Sequence, residues 1–333
     1  MADPLREFLH QRSVLLADGG MGTSLFRLGL VSGDNPELWN VEQAEKVASV
    51  HQSFVEAGSD IILTNTFGGN HYRLKLHRHE DRVAELNRAG AALARAVADA
   101  AGRRVLVGGS MGPTGEIFRP VGTLDPLDGE AAFAAQAEAL AEGGVDVLWI
   151  ETISAAEELA AALQAAARTG LPVVSTMSFD TNGRTMMGLT PDAALELAHA
   201  MPVRPVAFGA NCGIGPADLV ATILGFRNRA EPDEILIAKA NCGVPVFRDG
   251  QIHYSGTPEV MAAYARLARD AGARIVGGCC GTDASHLRAM RAALDGSEPG
   301  GVPDVAAIEA ALGRVSVAAG EGRERGERRR RRS

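Results

Sequence analysis

Long apolar runs are absent from this chain. Its 333 residues are 46% hydrophobic, yet no stretch is uninterrupted enough to cross a bilayer, so membrane-spanning helices are not expected. The start, Met1-Ala2-Asp3-Pro4-Leu5-Arg6-Glu7, has neither the basic region nor the apolar core of a secretory signal. Cysteine is scarce: four residues, in no disulfide-like spacing, which points to reduced thiols and a cytoplasmic address. Aromatic residues make up 5%, and none interleaves with the one strongly basic run, Arg328-Arg329-Arg330-Arg331-Arg332. A groove for single-stranded nucleic acid needs both features. The formal charge is −8, and the body without that run is more acidic still. Neither nucleic acid nor membrane is expected as a partner. Residues 313–333 read as a disordered, Arg-rich tail. The eight histidines are scattered without metal-ligand spacing.

What the chain does have is one pattern, repeated. Short apolar runs at 13–17, 60–64, 105–108, 145–150, 172–177, 203–209, 234–239 and 274–276 alternate with alanine-rich amphipathic segments. The latter predict helices near 42–57, 81–101, 130–142, 155–169, 192–200, 217–229, 258–271 and 284–294. Eight β-then-α units in this length specify a single (β/α)8 TIM barrel, assigned to residues 1–312. An open doubly wound sheet is the alternative, but no glycine-rich dinucleotide fingerprint follows the first run.

The unusual residues share one phase of the repeat. After successive runs come Asp18-Gly19-Gly20, Asn65-Thr66-Phe67, Ser110-Met111-Gly112, Glu151-Thr152, Asn211-Cys212-Gly213, Asn241-Cys242-Gly243 and Gly278-Cys279-Cys280-Gly281. In a barrel that rim carries the active site. Single glycines are explained by the turn into a helix; acids, amides and thiols at the same phase are not. Vicinal Cys279-Cys280 can serve one site only if the flanking glycines let the chain turn, because strand alternation sends neighbours to opposite faces. Three thiols with one open position describe a catalytic zinc site. Spacing alone does not say whether Cys212 or Cys242 is the third, and a lone cysteine often serves as a small core hydrophobe.

These ordered motifs, over roughly 14–294, resemble the homocysteine S-methyltransferase family, whose barrels bind zinc through three cysteines. The resemblance implies Cys212, Cys279 and Cys280 as ligands of Zn2+ and as the catalytic groups, with Cys242 lining or packing. It implies that Glu151 accepts the ammonium of homocysteine. Backbone around Asp18, Gly19 and Gly20 and around Ser110 would hold the rest of the substrate, with Asn211 beside them. Within the family the chain looks most like bacterial betaine-type enzymes, through Gly183-Arg184-Thr185-Met186-Met187-Gly188 and His253-Tyr254-Ser255-Gly256. A small onium donor is expected, since a folate or cobalamin donor would need a further module. Trp39, Phe67, Tyr72 and Tyr254 are the candidate faces for it, with His253 as a loop neighbour. Partners are then small molecules, apart from further copies of the chain in a homo-oligomer.

Overall fold

The computed structural model describes residues 3–248 and 251–316. All eight apolar runs become strands: β1 (Leu15–Leu16), β2 (Ile61–Leu63), β3 (Leu106–Met111), β4 (Val147–Ile153), β5 (Val173–Met177), β6 (Ala207–Cys212), β7 (Leu236–Ala240) and, after a hairpin of β8 (Pro245–Arg248) and β9 (Gln251–Tyr254), β10 (Ala273–Gly278). Their spatial order is β1-β10-β7-β6-β5-β4-β3-β2, every neighbour parallel. A parallel bridge between Ala17 and Ile61 joins β1 to β2 and makes the sheet a nearly closed (β/α)8 barrel. The predicted helices form between the strands, for example Ala44–Glu56, Val83–Asp99 and Pro258–Asp270. No helix among the described residues is long and apolar enough to cross a membrane.

The strands run further than the apolar runs do. Ser110, Glu151, Asn211 and Cys212, expected just beyond their strands, lie inside β3, β4 and β6. Ladder pairing, such as Ser110 with Trp149 and Asn211 with Lys239, carries the sheet into the polar residues. Strand alternation then divides the core in two. Leu15, Ile61, Val147, Trp149, Val174, Ile237 and Ile275 fill the barrel, while Leu16, Ile62, Leu148, Phe208 and Leu236 pack outward in the core that includes helix residues such as Phe54 and Phe226.

Several elements were not anticipated, among them the hairpin of β8 and β9 and two helices near the ends of the described residues. The helix Pro4–Gln11 places Leu5, Phe8 and Leu9 in the interior cluster and plugs the floor of the barrel. Its signal was local: Asp3 accepts the Leu5 N–H at 3.0 Å, and Pro4 opens the first turn, where a missing N–H costs nothing. Near the other end, Val305–Leu312 buries Ile308. Val315 is also buried, and the Ser316 N–H donates to Asp218 Oδ1 at 2.8 Å, so packing continues past the expected boundary at 312. The arginine run lies outside the described residues.

Candidate metal and active site

A period of two converts the strands into a layered interior. The same phase carries Val147, Trp149 and Glu151 on β4, Leu106, Gly108 and Ser110 on β3, Ala207, Gly209 and Asn211 on β6, Ile237 and Lys239 on β7, and Ile275, Gly277 and Cys279 on β10 and just beyond. The inward residues are apolar below and polar at the carboxyl end. The mouth of the barrel is therefore a ring of hydroxyl, carboxyl, carboxamide, ammonium and thiol groups over an apolar floor.

Cys212 reaches that ring by breaking the alternation. Its φ is 63°, and Gly213 follows at 71°, a left-handed turn that a non-glycine residue seldom adopts. Asn241 clasps the turn. Its Nδ2 donates to Gly213 O at 2.7 Å, while its Oδ1 accepts the Cys280 N–H at 3.1 Å and the Cys212 thiol at 3.3 Å. Cys279 and Cys280 sit in a turn closed by the Thr282 N–H on Cys279 O, 3.1 Å. Gly20 lies so close that a Cβ there would stand 2.7 Å from Cys279 O, a separation only glycine permits. The sulfurs of Cys212, Cys279 and Cys280 all fall within 4.8 Å of one another.

These residues fit a soft divalent metal. Zinc–thiolate bonds of about 2.3 Å in a tetrahedron separate sulfurs by about 3.8 Å, inside the observed spread. Charge favours the same occupant. Hydrogen bonds from Cys212 and Cys279 hold the Cys280 thiol down to about 3. Cys212 is pushed up by its bonds to Cys279 and Cys280. Cys279 is drawn down by Cys212, but Cys280 and burial outweigh this and raise it to about 12. A divalent cation would let all three thiols ionise.

Beside the thiols, Glu151 is buried and its Oε1 accepts the Ser110 hydroxyl at 2.5 Å. Burial pushes its carboxyl up to about 7, against the pull of Lys239. The internal ion pair belongs elsewhere: Lys239 Nζ lies 2.6 Å from Asp18 Oδ1, both nearly inaccessible. Asp18 Oδ2 also accepts the Leu63 N–H at 2.7 Å, which ties the first loop to β2. Lys239 was missed, although a lysine inside an apolar strand run was a visible signal. Asn241, read only as part of a duplicated motif, was missed too.

Several expected contacts are already taken. The N–H groups of Gly20, Ser110 and Gly112 donate to Thr282 O, Thr64 Oγ1 and Phe67 O, so these backbone donors are not available to a substrate. A Cβ on Gly19 would meet Thr282 O at 2.5 Å, so this glycine too serves the packing of the first loop on the cysteine turn. Asn211 accepts from the Thr152 N–H (2.9 Å) and Thr176 hydroxyl (2.7 Å) and donates to Thr152 Oγ1 (2.8 Å), with Cys279 Sγ at 4.0 Å. It holds Thr152, a β-branched residue at φ 65°, in a conformation that costs roughly 1–3 kcal/mol. Cys242 is buried away from the cluster. Its thiol donates to Gly256 O at 3.3 Å, and burial raises it to about 11.

The aromatic candidates divide. Trp39 carries the Lys46 ammonium 4.5 Å over its ring, so a cation of the chain itself occupies that face. Tyr72 lines a surface cavity of about 470 Å³ with Glu116, Asp125 and Asp128. Phe67 stands partly exposed against Gly112. Tyr254 packs on Gly281, next to Cys280. The side chain of His253 lies outside the described residues.

A family model described as homocysteine S-methyltransferase matches residues 15–294. Methionine synthase of Mycobacterium tuberculosis is 32% identical over 307 residues, covering 87% of this chain and 25% of that protein. Methionine synthase of Mycobacterium leprae is 30% identical over 316 residues, covering 90% and 26%. The chain thus spans about a quarter of the length of these curated relatives. Among solved structures, the metallated homocysteine methyltransferase MmuM from Escherichia coli superposes with a TM-score of 0.72 at 25% identity, covering 87% of this chain and 99% of that one. With the thiol cluster and the acid at one barrel mouth and the match running from the first strand through the last, the chain belongs to the homocysteine S-methyltransferase family.

Proposed function

We propose that this protein transfers a methyl group from a small onium donor, glycine betaine in the first instance, to the thiol of homocysteine, forming methionine. The observation that carries the reading is the placement of three sulfurs within 4.8 Å of one another at a barrel mouth that also holds a buried carboxyl, Glu151. Cys212, Cys279 and Cys280 would hold zinc, which when bound supplies deprotonation of the substrate thiol and a fixed point for in-line attack.

The chain's own groups do the rest. Asp18 and Lys239 neutralise each other, which leaves Glu151 as the acid that meets the substrate ammonium. Burial makes that pairing strong, because an isolated buried carboxylate is costly and a cation relieves the cost. Trp149 and the apolar interior beneath it keep water from entering below. The homocysteine sulfur bonds to the methyl carbon as the carbon–nitrogen bond of betaine breaks. The electron pair stays on nitrogen as dimethylglycine, and the thiol proton leaves to solvent. Three thiolates around a divalent ion would leave one net negative charge, which favours a cationic donor.

The test offers homocysteine to the reduced, zinc-loaded protein with equal amounts of differently labelled glycine betaine and S-methylmethionine. The methionine formed is then weighed. Betaine label is the expected result. Sulfonium label would keep the reaction and replace the donor; no labelled methionine with zinc still bound would overturn the reading.

A further inference from the structure

Among the described residues, four non-glycine positions have a positive φ, and two of them flank the mouth: Thr152 at 65° and Cys212 at 63°. One side chain joins them. Asn211 precedes Cys212 and is fully buried. Its Oδ1 accepts the Thr152 N–H at 2.9 Å and the Thr176 hydroxyl at 2.7 Å. Its Nδ2 donates to Thr152 Oγ1 at 2.8 Å and stands 4.0 Å from Cys279 Sγ. The carboxamide thus touches the thiol cluster on one side and β4 on the other. The strained threonine lies in a break of the β4 ladder. Ile150 pairs with Ser175 and Ile153 with Met177, so three steps along β4 match two along β5. Ile150 and Ile153 both pack in the outer core, which leaves Glu151 and Thr152 as the extra length of a bulge. Bulges of this kind re-aim side chains beside active sites. Here two consecutive residues turn to the mouth, Glu151 onto the Ser110 hydroxyl and Thr152 onto Asn211. A β-branched residue stays left-handed only where its surroundings hold it there.

From this geometry we infer that Asn211 is a positioning residue that sets chain-length specificity: by holding the β4 bulge against the thiol cluster, it fixes the span between the Glu151 carboxyl and the cysteine sulfurs. The inference rests on the proposed function, in which Glu151 meets the substrate ammonium and the substrate sulfur goes to the metal held by Cys212, Cys279 and Cys280. A substrate tied at both ends is measured by the distance between its ties. Homocysteine carries one methylene more than cysteine between the ammonium-bearing carbon and the sulfur, so one fixed span does not suit both. A misplacement of about 1 Å in a positioned group can cost on the order of 100-fold. Asn211 spends its carboxamide on Thr152 and Thr176, so it acts through the bulge and not on the substrate.

Asn211→Ala removes the clamp and keeps all three cysteines. The experiment titrates L-homocysteine and L-cysteine separately into the reduced, zinc-loaded full-length protein by calorimetry, with bound zinc measured in each sample. The parent should prefer homocysteine by about tenfold or more, the scale of one methylene in a fitted site. In the variant, homocysteine should bind about tenfold more weakly while cysteine changes by less than about threefold, so the preference collapses. Adding Thr152→Gly should restore part of it, because glycine adopts a positive φ without strain. If Asn211→Ala fails to fold or loses zinc, Thr152→Val carries the same test, since it withdraws the hydroxyl to which Asn211 Nδ2 donates. A parent without the preference, equal weakening of both thiols, or an unchanged preference in a folded, zinc-bound variant would overturn the role of Asn211 and leave the proposed function standing. A parent that holds zinc but binds no homocysteine would overturn both.

Discussion

Asn211-Cys212-Gly213 and Asn241-Cys242-Gly243 are the same three letters one β/α unit apart, and the barrel uses them for different ends. Register explains it. Asn211 pairs with Lys239 and Cys212 with Ala240, so the second copy sits two residues higher on its strand than the first. Asn211 consequently faces into the mouth and braces Thr152 and Thr176, while Asn241 stands above it and clasps the Cys212 turn. Cys212 adopts a left-handed backbone that swings its thiol toward Cys279 and Cys280. Cys242 keeps an ordinary backbone and is spent on Gly256. Identical local sequence acquires its role from the neighbouring strand it is level with.

The sharpest way to break this contrast is to exchange each thiol for a hydroxyl. Cys212→Ser should abolish stoichiometric zinc and with it methyl transfer, whereas Cys242→Ser should keep zinc. Metal analysis after dialysis decides, and full retention in the Cys212 variant would refute the assignment. The next effect concerns the residue level with Asn211. Lys239→Met leaves Asp18 as a buried, unpaired charge and should cost about 3–5 kcal/mol in denaturant unfolding. The double variant with Asp18→Asn should recover much of that loss; no recovery would mean that Lys239 supports the fold in another way.

Glu151→Gln follows. It keeps the bond to Ser110 within reach but removes the charge, and should raise the KM for homocysteine roughly 10–100-fold, as expected for a hydrogen bond to a charged group worth about 1.5–3 kcal/mol. The parent enzyme should show a limb in kcat/KM that falls as pH drops below about 7, because the carboxyl then takes a proton and cannot meet the ammonium. That limb should vanish in the variant. The stability consequence has the opposite sense. A carboxyl raised from 4.5 to about 7 holds its proton in the native state after the unfolded chain has lost it, so the free protein loses stability as pH rises across that window. Smallest is the effect of Cys242→Ser on stability, under about 1 kcal/mol, since a hydroxyl can still donate to Gly256 O. A larger loss, read from thermal melting, would mean that Cys242 does more than donate to Gly256 O.

The barrel was legible because each strand carries a compact apolar run and each helix an amphipathic one. The rim was legible because polar clusters recur where those runs end. Where the strands stop was not, since Ser110 looks like a loop residue until Trp149 pairs with it, and Glu151 sits at an irregularity of β4 between the paired residues Ile150 and Ile153. The floor helix was overlooked because 4–11 was weighed only against a signal peptide, although Asp3-Pro4 announces a helix start. Lys239 and Asn241 needed register: nothing in a linear reading says that Lys239 lies level with Asn211 or that Asn241 faces Gly213. The occupied backbone amides at Gly20, Ser110 and Gly112 were likewise invisible, because their acceptors come from segments distant in sequence.

The central claim is that Cys212, Cys279 and Cys280 hold zinc with a place left for the sulfur of homocysteine. X-ray absorption at the zinc edge, on loaded protein with and without L-homocysteine, tests it most directly. The account predicts three sulfur neighbours without substrate and four with it. A sulfur count that homocysteine does not change would contradict it.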